Sequence, residues 1–158
     1  MTAAATPLTA ETETKVQEIG QTDVLIGIPS FNNAGTIGHV VQAVSAGLAK
    51  YFPGSRAVLV NSDGGSSDGT PDVVSRTGVD FGTILISDRQ SPLHKIITPY
   101  HGVPGKGSAF RTVFEIARRL KARACAVVDS DLRSITPEWI ELLIRPVLEE
   151  GYDYVAPY

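Results

Sequence analysis

One cysteine stands in the whole 158-residue chain, so no disulfide forms within it and no cysteine-based metal cluster can be assembled. That residue, Cys125, sits in an apolar run and reads as a small buried hydrophobe, which suits a reducing, cytoplasmic setting. Basic residues do not outnumber acidic ones: 14 Lys and Arg against 17 Asp and Glu leave a formal net charge of −3. Without a cationic stripe to neutralise a phosphate backbone, a non-specific nucleic-acid binder is excluded. No apolar run approaches the length that spans a bilayer. Residues 1–21 lack both the basic start and the apolar centre of a signal peptide. What is present, 42% apolar and 20% charged residues, suits one globular domain with its own core.

Residues 1–22 read as a flexible lead-in, with a short helix near 15–19, and an ordered domain is expected over 23–158. Val24-Leu25-Ile26-Gly27-Ile28 is a continuous apolar run of the kind buried on both faces of a sheet, and Pro29, which has no N–H, is expected to end it. A helix is predicted over 36–51, where Ile37, Val40, Val41, Val44 and Leu48 recur at helical spacing. A second strand follows at 57–60, then a loop of turn formers from Asn61 to Thr70 and a short helix over 71–76. A third strand is expected at 83–86, and residues 87–105 read as a long irregular span holding Pro92, Pro99 and Pro104. A helix over 108–121, a fourth strand at 124–128 and a helix over 137–150 complete the pattern, with Thr136 as N-cap. Residues 152–156 read as the start of another strand. Strands alternating with helices in this way imply an α/β fold, a mostly parallel sheet flanked by helices.

The chemistry gathers where strands end. Asp129 and Asp131 close the fourth strand two residues apart, a spacing that points both carboxylates to one side. Two acidic oxygens are what Mg²⁺ or Mn²⁺ takes from protein, with substrate phosphates filling its other positions. In a parallel sheet the loops after all the strands, 29–33, 61–70, 87–88 and 129–131, share one edge. Gly105-Lys106-Gly107 opens a helix beside them, offering unpaired N–H groups, a positive dipole end and a lysine to a phosphate. It is not a Walker loop, since its glycine spacing is wrong and no strand directly precedes it. His39 reads as a structural residue and Trp139 as a packing residue in preference to an acceptor-lining one, while His94 and His101 lie in the long span and are either solvated or near a phosphate or the acceptor.

Four segments, Val24–Thr36, Ser-Asp-Gly-Gly-Ser-Ser-Asp-Gly-Thr, Gly-Lys-Gly-Ser-Ala-Phe-Arg and Val-Val-Asp-Ser-Asp-Leu, resemble in order and spacing the successive motifs of family 2-like glycosyltransferases with the GT-A (Rossmann-like) fold. Within that group, Val-Asp-Ser-Asp-Leu followed by Ile-Thr-Pro-Glu-Trp-Ile is similar to the glucosyl- and mannosyl-(phospho)glycerate synthases. The resemblance implies a hexosyltransferase that moves a sugar from a UDP- or GDP-linked donor to a hydroxyl of a small-molecule or glycan acceptor, assisted by Mg²⁺ or Mn²⁺. Carried onto this chain, it implies that Pro29, Ser30, Phe31, Asn32 and Asn33 border the base and ribose, and that Asp63 accepts from the base. Lys106 would reach the base or the diphosphate, with Gly107 beside it in the nucleotide site, and Arg111 would support the phosphates or else stand as a solvated helix charge. Asp129 and Ser130 would lie at the ribose or the metal's water shell, and Asp131 would coordinate the metal. Two positions depart from the pattern: Asn33 stands where an acid is usual, and Asp63 is followed by Gly64 where the second of two acids is usual. The resemblance also implies that the acceptor pocket and catalytic base lie beyond this donor-binding part, leaving the base unassigned. A sugar nucleotidyltransferase is the alternative, although the 30–35 loop lacks the basic residue such enzymes carry there. A non-catalytic nucleotide-binding module is the other, if the native chain ends at 158. An open final strand would make a homo-oligomer the natural partner.

Overall fold

A computed structural model describes residues 6–78, 93–100 and 104–157. Along the chain these form α1 (Ala10–Ile19), β1 (Val24–Ser30), α2 (Ile37–Tyr51), β2 (Ala57–Asp63), α3 (Thr70–Arg76), β3 (His94–Pro99), α4 (Lys106–Arg119), β4 (Ala124–Val127) and α5 (Pro137–Glu149). The strand expected at 83–86, the loop at 87–88 and His101 lie outside the described residues.

All strand pairings are parallel, in the order β3-β2-β1-β4. β1 and β2 occupy the centre and are buried along their whole length, as continuous apolar runs demand. Alternation along β1 splits the core. Val24, Ile26 and Ile28 face a cluster with α2, α3 and α5, built on Ile37, Val40, Val44, Val74, Ile140 and Ile144. Leu25 faces the other side, where Val113 and Ile116 of α4, Leu120 just after it and Val16 of α1 cover the sheet. Two glycines let helices pack close on their neighbours. A Cβ on Gly27 would stand 2.4 Å from Val113 Cγ1, and one on Gly47 would stand 2.6 Å from the Pro137 carbonyl oxygen.

The chain runs from β1 outward through β2 to β3, then crosses the opposite face through α4 and returns to β4 on the other side of β1. The direction of winding therefore reverses between β1 and β4, and such a reversal leaves a crevice at the carboxyl edge.

Several expectations need correcting. Pro29 does not end β1, which continues to Ser30 in register with Asp63. The β1·β4 ladder instead stops at Gly27–Val127, with Val128 N–H still donating to Gly27 O at 3.0 Å. The missing proline donor ends the pairing on that side alone, and β4 departs there. The span read as irregular contains β3, whose inward residues are Ile96 and Thr98. The lead-in holds a ten-residue helix capped by Thr9, longer than the segment anticipated. Its Thr12 hydroxyl donates to Thr98 Oγ1 at 2.8 Å in the interior. Residues 152–156 form no strand, and Tyr152 and Tyr154 are exposed. Cys125 is exposed rather than buried, because β4 has one strand neighbour among the described residues. Thr136 precedes α5 without making a side-chain cap bond.

Candidate functional site

At the carboxyl edge, over the β1/β4 reversal, lies a cavity of about 360 Å³. From the sequence-predicted residues it takes Pro29, Ser30, Phe31, Asn33, Lys106, Asp129, Ser130 and Asp131. Gly64, Tyr100, Pro104, Gly105 and Ala109 complete the wall. Asn32, Asp63, Gly107 and Arg111 do not line it. Arg111 is exposed on α4, and His94 lies at the far end of the sheet, in a small cleft with Thr22 and Arg56.

The two loops flanking β1 and β2 are laced together. Asn33 Oδ1 accepts from Phe31 N–H at 3.0 Å and from the Ser130 hydroxyl at 2.7 Å, joining the β1 loop to the Asp129–Asp131 turn. Thr36 Oγ1 donates to Ser130 O at 3.0 Å and makes a second tie. Asn32 has φ 52°, a left-handed conformation that asparagine tolerates. It is held there from both sides: its N–H donates to Ser66 Oγ at 2.8 Å, and its Oδ1 accepts from Ser67 N–H at 2.9 Å. Asp68 accepts from Ala34 N–H at 3.0 Å and from the Thr70 hydroxyl at 2.5 Å, and the Thr70 bond holds its carboxyl below the usual carboxylate range.

Asp63 is 6% exposed, and its oxygens are fully engaged. They accept from Ser30 Oγ at 2.8 Å, Gly65 N–H at 3.0 Å, Ser66 N–H at 2.8 Å and Ser66 Oγ at 2.6 Å. The carboxylate thus shapes the loop from behind, and Gly64 rather than Asp63 meets the cavity.

Charge is concentrated at the β4 side. Lys106 Nζ lies 3.1 Å from Asp129 Oδ1, and both side chains are substantially exposed. Asp131 is exposed beside them, and Gly105 opens α4 without a side-chain cap. Among the described residues no group of three or more His, Cys, Asp or Glu could hold a metal ion. Two carboxylates at a cavity nevertheless fit Mg²⁺ or Mn²⁺, which keep most of their positions for water and phosphate. The neutral side, below β2 and β3, is walled by Phe31, Gly64 and Tyr100.

Sequence reasoning missed Tyr100 and Gly64. The β-forming run Lys95–Thr98 was the available signal for the strand that carries Tyr100, and the prolines around it masked that signal.

Residues 25–157 match Glycosyl transferase family 2. No curated protein matches the sequence. Among solved structures, glucosyl-3-phosphoglycerate synthase from Mycobacterium tuberculosis, in complex with Mn²⁺, UDP and glucosyl-3-phosphoglycerate, aligns with TM-score 0.56 and 20% identity over 85% of this chain and 44% of that one. Another structure of that enzyme aligns with TM-score 0.58 and 18% identity over 91% of this chain and 47% of that one. A complex with Mg²⁺ and UDP gives TM-score 0.53 and 19% identity over 85% and 43%. The chain therefore shares their GT-A fold and spans less than half their length.

Proposed function

This chain belongs to glycosyl transferase family 2, and from that premise we propose that its cavity binds a nucleoside diphosphate-linked hexose, UDP-linked first, for transfer to an acceptor hydroxyl. The observation that carries the reading is the convergence of Lys106, Asp129 and Asp131 in one cavity beside the start of α4. A diphosphate there meets the lysine ammonium and the positive end of a 14-residue helix. Asp129 and Asp131 would hold the divalent ion, which when bound supplies neutralising charge to the departing diphosphate. The complexes of the M. tuberculosis synthase with Mn²⁺ or Mg²⁺ and UDP support this choice of ligands.

The Lys106–Asp129 ion pair has a direct role in this reading. At 3.1 Å from Asp129 Oδ1, the exposed lysine ammonium stands within reach of both the carboxylate and a phosphate bound beside it. Asp63 acts one layer back, fixing the Gly64–Ser66 backbone, and the Asn33–Ser130 bond holds the two sides of the cavity in register. Specificity for the acceptor and the proton-accepting base are left to residues outside this assignment. No helix among the described residues is long and apolar enough to cross a membrane.

Calorimetric titration with UDP, GDP and inorganic pyrophosphate, each with and without Mn²⁺, tests the reading. The expected result is UDP binding that requires or is strongly enhanced by the metal. Binding of no nucleotide, or binding indifferent to Mn²⁺, would overturn it.

A further inference from the structure

The cavity has a polarity across the sheet that identifies which end takes which part of the donor. From Tyr100, beyond β3, to Asp131, beyond β4, the edge crosses three strand spacings, about 14 Å. This is room for a nucleoside diphosphate laid across the strands. Lys106, Asp129 and Asp131 occupy the β4 end, and the lining at the other end, Phe31, Gly64 and Tyr100, carries no charge.

Ser30 beside Gly64 has its hydroxyl engaged with Asp63 and Asn61, and Tyr100 carries the other polar side-chain group at that end, its phenol. Its N–H donates to Asp63 O at 3.2 Å, which ties it to the end of β2. Its phenol lies so close to Gly64 that a Cβ there would stand 2.4 Å from Oη and 2.8 Å from Cζ. Any side chain at position 64 would therefore displace the ring. Among the described residues the hydroxyl has no hydrogen-bond partner. A tyrosine hydroxyl both donates and accepts, as the edge of a nucleobase requires.

We propose that Tyr100 reads the base of the nucleotide, its hydroxyl hydrogen-bonding the base edge, and that Gly64 is glycine so that the phenol can stand there. The assignment rests on the donor reading above. It gives base recognition to the side chain just after β3 and leaves Asp63 to hold the loop.

Calorimetry with UDP, UMP and inorganic pyrophosphate in Mn²⁺ tests it. Tyr100→Phe keeps the ring and removes one hydrogen bond, so UDP and UMP affinities should fall about three- to tenfold while pyrophosphate affinity holds. Gly64→Ala should weaken UDP binding in the native background and have little effect in Tyr100→Ala, where no phenol is left to displace. Near-UV circular dichroism verifies that each variant is folded. Equal UDP affinity in Tyr100→Phe and the native protein overturns the assignment, as does an equal loss for pyrophosphate. A native protein that binds pyrophosphate with Mn²⁺ but no nucleotide overturns both this assignment and the donor reading, and leaves only the phosphate end of the cavity standing. A native protein that binds none of the three overturns the donor reading as well.

Discussion

Replacing Gly27 by alanine puts a methyl group 2.4 Å from Val113 Cγ1 and 2.8 Å from Cγ2, where carbon atoms ordinarily rest about 3.5–4.0 Å apart. Neither side can yield cheaply. β1 is buried throughout between β2 and β4, and Val113 is fully buried between the sheet and the rest of α4. Overpacking of this kind costs about 1–3 kcal/mol, and the smaller conformational freedom of alanine in a strand offsets about 0.5–1 kcal/mol of it. The expected net loss is about 1–2 kcal/mol. Val113→Ala alone removes buried methyls and leaves a small cavity, a loss of about 2 kcal/mol. In the double variant the new methyl occupies the space that Val113 vacates, so the combined loss should fall short of the sum by about 1 kcal/mol or more. Urea unfolding of the four proteins, with a common m-value, measures this directly. Losses that add to within about 0.5 kcal/mol would refute the contact. The first residue of α4 is Lys106, so Gly27→Ala should also weaken diphosphate binding, and the Val113→Ala background should restore it.

Lys106→Met should separate binding from stability. The Lys106–Asp129 pair is exposed, 71% and 44% at its two side chains, so its loss should change unfolding free energy by no more than about 1 kcal/mol. A charge-assisted bond to phosphate is worth about 1.5–3 kcal/mol, and UDP affinity should fall at least about tenfold while UMP is less affected; equal losses for both would count against a lysine at the diphosphate. Glu115, 8% exposed, accepts from Arg118 and Arg119, and Arg119 also reaches Glu13 of α1 at 3.1 Å. The Arg118 bond outweighs burial and holds the Glu115 carboxyl below its usual 4.5. Its contribution is therefore complete above that value and is lost as pH falls through the lowered folded one. Denaturation midpoints of the native protein should drop on acidification below about pH 4.5, and those of Glu115→Gln should drop less steeply. An unchanged slope would remove the arginine pairing from the account. Asn33→Ala cuts the tie to Ser130 and should raise the UDP dissociation constant several-fold with little effect on the sheet, a contrast that calorimetry and far-UV circular dichroism read together.

The parts of the fold that the sequence made legible are those where local pattern and tertiary burial agree. Val24–Ile28 and Ala57–Val60 are apolar without interruption because both faces of a central strand are covered. α2 shows its stripe because one side packs on the sheet and α5. β3 was hidden because, among the described residues, it has a strand neighbour on one side only, buries Ile96 and Thr98 alone and carries Lys95 just before them. The head of Lys95 escapes the sheet by capping α3, donating to Val74 O at 3.0 Å and to Thr77 O. α1 was hidden for a related reason: it buries Thr12 and Val16 against β3 and α4, too few positions to set a period. At 152–156 the opposite holds, since an alternating pattern with no neighbouring strand among the described residues forms no ladder. The Asp129–Asp131 turn and Lys106 were legible because chemistry was written in residue type and the parallel sheet put strand ends together. That Asp63 faces inward toward Ser66, and that Tyr100 takes the place beside Gly64, depends on loop geometry that no spacing rule encodes.

Paramagnetic broadening by Mn²⁺ with UDP, read residue by residue in amide NMR spectra against a Mg²⁺–UDP control, tests the location of the site most directly. Loss of the Lys106, Ser130 and Asp131 signals is expected, with Asp23, Arg56, His94 and Arg123 at the opposite end of the sheet left sharp. Broadening at that opposite end, or none that UDP enhances near Asp131, would contradict that location.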